Sequence, residues 1–178
     1  MGVGSVATMT SAEVLIDAYE RIREVVHHTV DGLGAQALTF RIDPAANSIA
    51  WLIWHLTRVQ DDHLAEVAGV EQVWTAHGWY DRFGLSLDPG DTGYGHGPAE
   101  VAAVTASAEL LTGYYDAVHE QTLRFLQGLT DADLPRIVDR RWDPPVTLGV
   151  RLVSVISDDL QHAGQAAYLR GVFDRRNG

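Results

Sequence analysis

The chain contains no cysteine. That excludes disulfides, thiolate metal ligands and an internal thiol nucleophile. Any metal must be held by histidine and carboxylate, and any thiol chemistry must use a thiol from outside. Lysine is absent as well: all 13 basic residues are arginine, against 24 acidic ones, for a net charge of −11. This balance argues against a nucleic-acid surface, which needs a basic stripe, and against an anionic membrane surface. No apolar run reaches the length of a membrane span. The stretch from Met1 to Met9 lacks the basic start and apolar core of a secretory signal. The expectation is a cytoplasmic protein without nucleic-acid or membrane partners.

What is present is an ordinary globular mixture, 46% hydrophobic and 21% charged over 178 residues, enough for one well-buried domain spanning 1–178. Apolar residues recur at helical rather than strand spacing. The first helix opens on the capping box Thr10-Ser-Ala-Glu13 and runs to about Leu33. The second is capped by Asn47 and stopped by Gly69. Residues from about Val70 to Gly97 are irregular and aromatic, holding Trp74, His77, Trp79, Tyr80, Phe83 and Tyr94. A third helix runs from Pro98 to about Gln127. An extended connection through Pro135, Pro144 and Pro145 leads to a fourth, from about Thr147 to Leu169, with Gly171 as the stop. The fold class is all-α, a four-helix bundle with long connections, at least one of which can cross over.

The chemistry concentrates on two of these helices. Asp158 and His162 are four apart, one turn above the other on a face shared with Val155, Ala166 and Leu169. His55 lies on the inward side of the second helix between Leu52 and Val59. A carboxylate and imidazoles on apolar stripes are costly unless satisfied, and a divalent metal would satisfy them. Such a pair can also simply hydrogen-bond, and Asp159 is a competing carboxylate, less well directed if Val155 is core. Two imidazoles and a carboxylate suit Zn²⁺ best, with Ni²⁺ or Fe²⁺ also accommodated. Gln165, one turn past His162, can act behind the ligands. His63 is about 12 Å along the axis from His55, too far for both to ligate one ion. His27, His28 and His119 show no partner pattern and read as solvated.

The segment Asn47-Ser-Ile-Ala-Trp-Leu-Ile-Trp-His55-Leu, with Asp158-Asp-Leu-Gln-His162-Ala-Gly-Gln165, resembles the ligand segments of the DinB-like superfamily. These four-helix metal-binding proteins include bacterial thiol S-transferases and mycothiol-dependent maleylpyruvate isomerase. The resemblance covers nearly the whole chain and implies His55, Asp158 and His162 as metal ligands. Asp158 departs from it, standing where many relatives carry His or the longer Glu. The resemblance also implies a low-molecular-weight thiol as cosubstrate. The arginine-only composition fits a GC-rich actinobacterial source, which would make the thiol mycothiol. The expected activity is metal-dependent transfer of that thiol to an electrophilic small molecule. The alternatives are a mycothiol-dependent isomerase of the maleylpyruvate type, whose known form carries an added C-terminal domain, or a metal-binding protein without turnover. A homodimer is expected from the family alone. Arg141, Arg140 and Arg82 are candidates for gripping a polar cosubstrate at the cleft mouth, and Trp79 and Tyr80 for lining a substrate box or merely covering the core.

Overall fold

The computed structural model describes residues 9–178; the reading of the first residues as no secretory signal falls mostly outside them. Eight helices and one two-stranded ribbon are present among these residues. Four helices are long: α1 (Ser11–Val30), α3 (Ile49–Ala68), α7 (Ala108–Gln127) and α8 (Leu148–Asn177). The short ones are α2 (Ala35–Leu38), α4 (Val73–Ala76), α5 (Trp79–Phe83) and α6 (Pro98–Ala103). Strands β1 (Ile137–Asp139) and β2 (Val146–Thr147) pair antiparallel inside the connection before α8. None of the helices is long and apolar enough to cross a membrane.

The long helices form a ring in which α1 packs on α7 and α8, and α3 packs on the same two. Consecutive α1 and α3 are therefore diagonal, as are α7 and α8, so two connections cross the bundle. The capping box at Thr10 forms, with Glu13 N–H donating to Thr10 Oγ1 and Thr10 N–H to the Glu13 carboxylate. Ser48, rather than Asn47, caps α3 by accepting from Trp51 N–H. The expected third helix is two. α6 ends at Ala103, and Ser107 starts α7 by accepting from Leu110 N–H. A serine side chain that satisfies a free backbone donor competes with helix continuation. α8 runs through Gly171 to Asn177, because Gly171 lies in mid-helix with ordinary negative φ and no αL stop forms.

α3 is apolar nearly all round, and every residue from Ile49 to Asp61 is buried. A helix of that kind needs cover on its outer side as well as its inner one. The segment between α3 and α7 supplies it. Arg58, fully buried on α3, donates to the carbonyl of Asp91, to Gln72 Oε1 and to the Tyr114 hydroxyl. Asp61, also buried, accepts from Val73 N–H, Trp74 N–H and the Tyr114 hydroxyl. The covering segment is therefore held to α3 by polar side chains whose burial is offset by bonds to backbone. Trp74, Phe83 and Tyr114 pack edge to face or tilted in the same region, with centroids 5.0–5.8 Å apart.

Candidate metal centre and cleft

α3 and α8 bring His55, Asp158 and His162 together. One ligand-type atom from each lies within 4.8 Å of the others, a group able to hold a metal ion. Ligands bonded to a tetrahedral ion at 2.0–2.2 Å stand about 3.4 Å apart, so closure needs only side-chain adjustment. The rings of His55 and His162 meet edge to face, with centroids 4.8 Å apart. His162 Nε2 lies 3.6 Å from Asp158 Oδ1, and Asp158 Oδ2 is buried with no hydrogen-bond partner.

The hydrogen bonds fix which ring nitrogens are free. His55 Nδ1 bonds the carbonyl of Thr92, and a carbonyl only accepts. His55 therefore carries its proton on Nδ1 and offers the Nε2 lone pair. His162 Nδ1 lies 3.1 Å from Gln165 Oε1, which fixes the same tautomer. Two imidazoles held through Nδ1, with Nε2 bare beside an unpartnered carboxylate oxygen, are the chemistry of a His₂–carboxylate metal site. Burial pushes the His55 imidazole below its ordinary range, only partly opposed by the Thr92 bond. It is accordingly neutral near pH 7, as a ligand must be.

His55 is held on one face and at one edge. Trp51 stacks on its ring at 4.5 Å. Along the edge of that stack, on the Nδ1 side, runs Thr92-Gly93-Tyr94. Gly93 has φ of +99°, and a Cβ there would lie 2.5 Å from His55 Nδ1 and 3.0 Å from the Trp51 ring. Only glycine allows both that backbone conformation and that approach. Trp51 Nε1 donates to His96 Nδ1 at 3.2 Å, and His96 stacks on Trp54. None of Thr92, Gly93 and His96 is marked by periodicity; the glycine-rich loop they occupy was the sole sequence signal.

The two candidate carboxylates part company. Asp159 lies on the fully buried stripe of α8 with Val155 and Ala163, while Asp158 and His162 sit half-buried at its flank. Asp159 has no hydrogen-bond partner, and burial holds its carboxyl well above the usual range. Burial likewise holds the hydroxyls of Tyr19 and Tyr115 well above their ordinary range. His119, read from sequence as solvated, is instead 4% exposed beside Tyr115. It follows Tyr115 by one turn on the inward face of α7, and that spacing was the sign of its burial. His27 is likewise engaged, bonding Asp116 at 2.8 Å.

Beside the trio opens a cleft of about 550 Å³ into which Asp158 faces. Its floor follows one ridge of α3, Val59 and His63, and one of α8, Arg151, Val155 and Asp158. Tyr94 and Trp142, 65% and 67% exposed, stand at its mouth. Arg141 lines it, bound to Asp139 through Nε and Nη2 at 2.8–3.2 Å, and those bonds hold the Asp139 carboxyl down to about 2. Arg140 is exposed. Trp79, Tyr80 and Arg82 are not part of this cleft. Arg82 lies over the Trp79 ring, Trp79 packs on Gly113 and Tyr114, and Tyr80 packs on Trp74 and donates to the Leu87 carbonyl.

Residues 14–175 match the family model described as mycothiol-S-transferase. The chain belongs to the mycothiol-S-transferase family. A crystal structure of a conserved protein from Enterococcus faecalis is similar to it at TM-score 0.85 and 30% identity, over 92% of this chain and 96% of that one. No curated protein matches the sequence. Membership in the family agrees with the helical bundle.

Proposed function

We propose that this protein is a metal-dependent transferase that joins mycothiol to an electrophilic small molecule. The observation that carries the reading is the convergence of His55, Asp158 and His162, with both imidazoles tautomerically set to present Nε2 beside an unpartnered carboxylate. The chemistry that a divalent ion, zinc by preference, would supply there is to favour the thiolate form of a thiol at neutral pH. The protein's own part is positioning. Thr92 and Gln165 orient the two rings, and Trp51 and Gly93 keep the His55 side closed. The cleft at Asp158 leaves room for the thiol and its acceptor to meet. With no cysteine in the chain, the nucleophilic sulfur is the substrate's, and its lone pair forms the new bond to carbon.

The test is to purify the protein without added metal, measure bound metal, and assay mycothiol transfer with and without chelator. The expected result is about one divalent ion per chain, transfer abolished by chelator and restored by zinc. Full transfer in chelator overturns the metal dependence. Stoichiometric metal without transfer to any electrophile makes this a metal-binding protein and not an enzyme.

A further inference from the structure

The cleft has a second polar end. His63 follows Val59 by one turn, and Val59 follows His55 by one turn, so the three lie along a single ridge of α3. At the His63 end, Arg151 reaches over from α8 with only 7% of its surface exposed. Its Nη1 lies 3.0 Å from His63 Nδ1 and 2.7 Å from Glu66 Oε2, and its Nη2 lies 3.3 Å from Asp139 Oδ2. A guanidinium can only donate. His63 Nδ1 must therefore accept, and the proton of the neutral ring sits on Nε2. Burial, then the Arg151 charge, lowers the pKa of His63 and keeps the ring neutral, against the opposing pull of Asp62, Glu66 and Asp158. Nε2 has no hydrogen-bond partner among the described residues, and the side chain, 27% exposed, lines the cleft. The result is an N–H donor backed by a cation whose own charge is offset by Glu66 and Asp139.

We propose that His63, held by Arg151, is an oxyanion-binding donor, and that the electrophile is one whose attacked carbon is conjugated to oxygen: an enone, a quinone or a related unsaturated carbonyl. This rests on the thiol-transferase reading. The rest of the cleft agrees with a flat carbon skeleton. Val59, Val146, Val150 and Val155 line it, and the rings of Tyr94 and Trp142 stand at its mouth. In the reaction, the sulfur lone pair forms a C–S bond to the β-carbon. The C=C pair moves to the bond between the α-carbon and the carbonyl carbon, and the C=O pair moves to oxygen. The Nε2–H of His63 donates to that oxygen as its charge grows. A proton from solvent, balancing the one the thiol released, then closes the α-carbon. A donor aimed where charge develops acts mainly on the transition state.

The test compares two electrophiles with mycothiol and the zinc-loaded protein: 2-cyclohexen-1-one, which develops an oxyanion, and benzyl chloride, which expels chloride and does not. His63→Ala is expected to lower kcat/KM for the enone about 100-fold, the range for loss of one oxyanion donor. Transfer to benzyl chloride and zinc content are expected to hold within about threefold. His63→Gln, whose amide oxygen can accept from Arg151 while its NH₂ donates, is expected to recover most of the enone rate. Equal losses on both electrophiles, or no loss on the enone, overturn the proposal. A readout without turnover separates it from the underlying reading: ¹⁵N spectra of His63 should show the Nε2–H tautomer and a shift of that nitrogen on titration with unreactive cyclohexanone. If the wild-type protein transfers thiol to neither electrophile, the transferase reading falls, and the titration decides the donor site alone. An Nδ1–H tautomer, or no shift, overturns it.

Discussion

His55 and His162 offer the same atom toward the same point, but the chain holds them in opposite ways. His55 sits in the stretch of α3 that is buried all round, Ile49–Asp61, with a backbone carbonyl on Nδ1, an indole stacked on one face and a glycine pressed against the ring. His162 sits on the flank of α8, and its Nδ1 partner is the side-chain amide of an exposed glutamine one turn along the same helix. A carbonyl fixed by its loop costs little to keep in place, whereas a glutamine must lose rotamer freedom to stay. The α3 half is set before any ligand arrives. The α8 half retains freedom to adjust, and that is where the remaining closure of the trio can occur.

The largest effect breaks the comparison by removing one side. His162→Ala leaves two of the three candidate ligands, too few to hold a divalent ion against water and buffer. The helix should persist, since Ala is the better helix former. The expected outcome is a folded protein that has lost bound metal and whose mycothiol transfer falls by roughly a thousandfold or more. Circular dichroism and metal analysis check it; full activity in chelator would rule the mechanism out. Gly93→Ala attacks the rigid side without touching a ligand. Its Cβ would overlap His55 Nδ1 at 2.5 Å on a backbone with φ of +99°. Metal affinity is expected to fall about 100-fold, the upper range for a residue behind the ligands, with a stability loss on the order of 1–3 kcal/mol. Unchanged zinc affinity by competition titration would mean that the loop does not set the ring. Gln165→Ala attacks the adaptable side in the same manner, and because that side is less fixed, the expected loss is smaller, about tenfold. If Gln165→Ala costs more affinity than Gly93→Ala, the contrast between the halves is reversed.

The same contrast explains what could be read from the sequence. His55, Asp158 and His162 stood out because each lies on a long helix whose spacing reveals its face. The spacing favours Asp158 on the expectation that it shares the face of Val155; the packing of α8 instead puts Asp159 on the buried stripe of Val155 and leaves Asp158 at the flank, where it lines the cleft. The clamp on His55 was hidden because Thr92 and Gly93 lie 37 and 38 positions along the chain in a loop without period. Trp79 and Tyr80 illustrate the converse: aromatic richness marked the loop, but composition does not say which rings face the cleft, and Tyr94 and Trp142 do so instead. The break between α6 and α7 was legible in principle at Ser107, a cap inside an otherwise continuous stripe.

The smallest expected effect concerns pH and the metal-free protein. Burial lowers the pKa of His55 in the folded state below its ordinary value, taken as about 6.5 in the unfolded chain. Between the folded and unfolded values the unfolded chain binds more protons, so stability rises with pH. The contribution of His55 is therefore fully present above about pH 6.5 and is lost as pH falls through the folded value. His63 and His119, also lowered chiefly by burial, add in the same direction. Asp61 and Asp159, raised by burial, act in the opposite one and favour the folded state as pH falls toward their ordinary value. The raw pH profile sums both signs, so the informative quantity is the difference between wild type and His55→Gln. Glutamine cannot titrate and can still donate an amide N–H to the Thr92 carbonyl. With chelator present, Tm of the wild type should fall more steeply than that of His55→Gln as pH drops from 7 to 5. Parallel profiles would mean that the closed α3 side does not keep His55 from protonating, and the two halves of the site would then be equally adaptable.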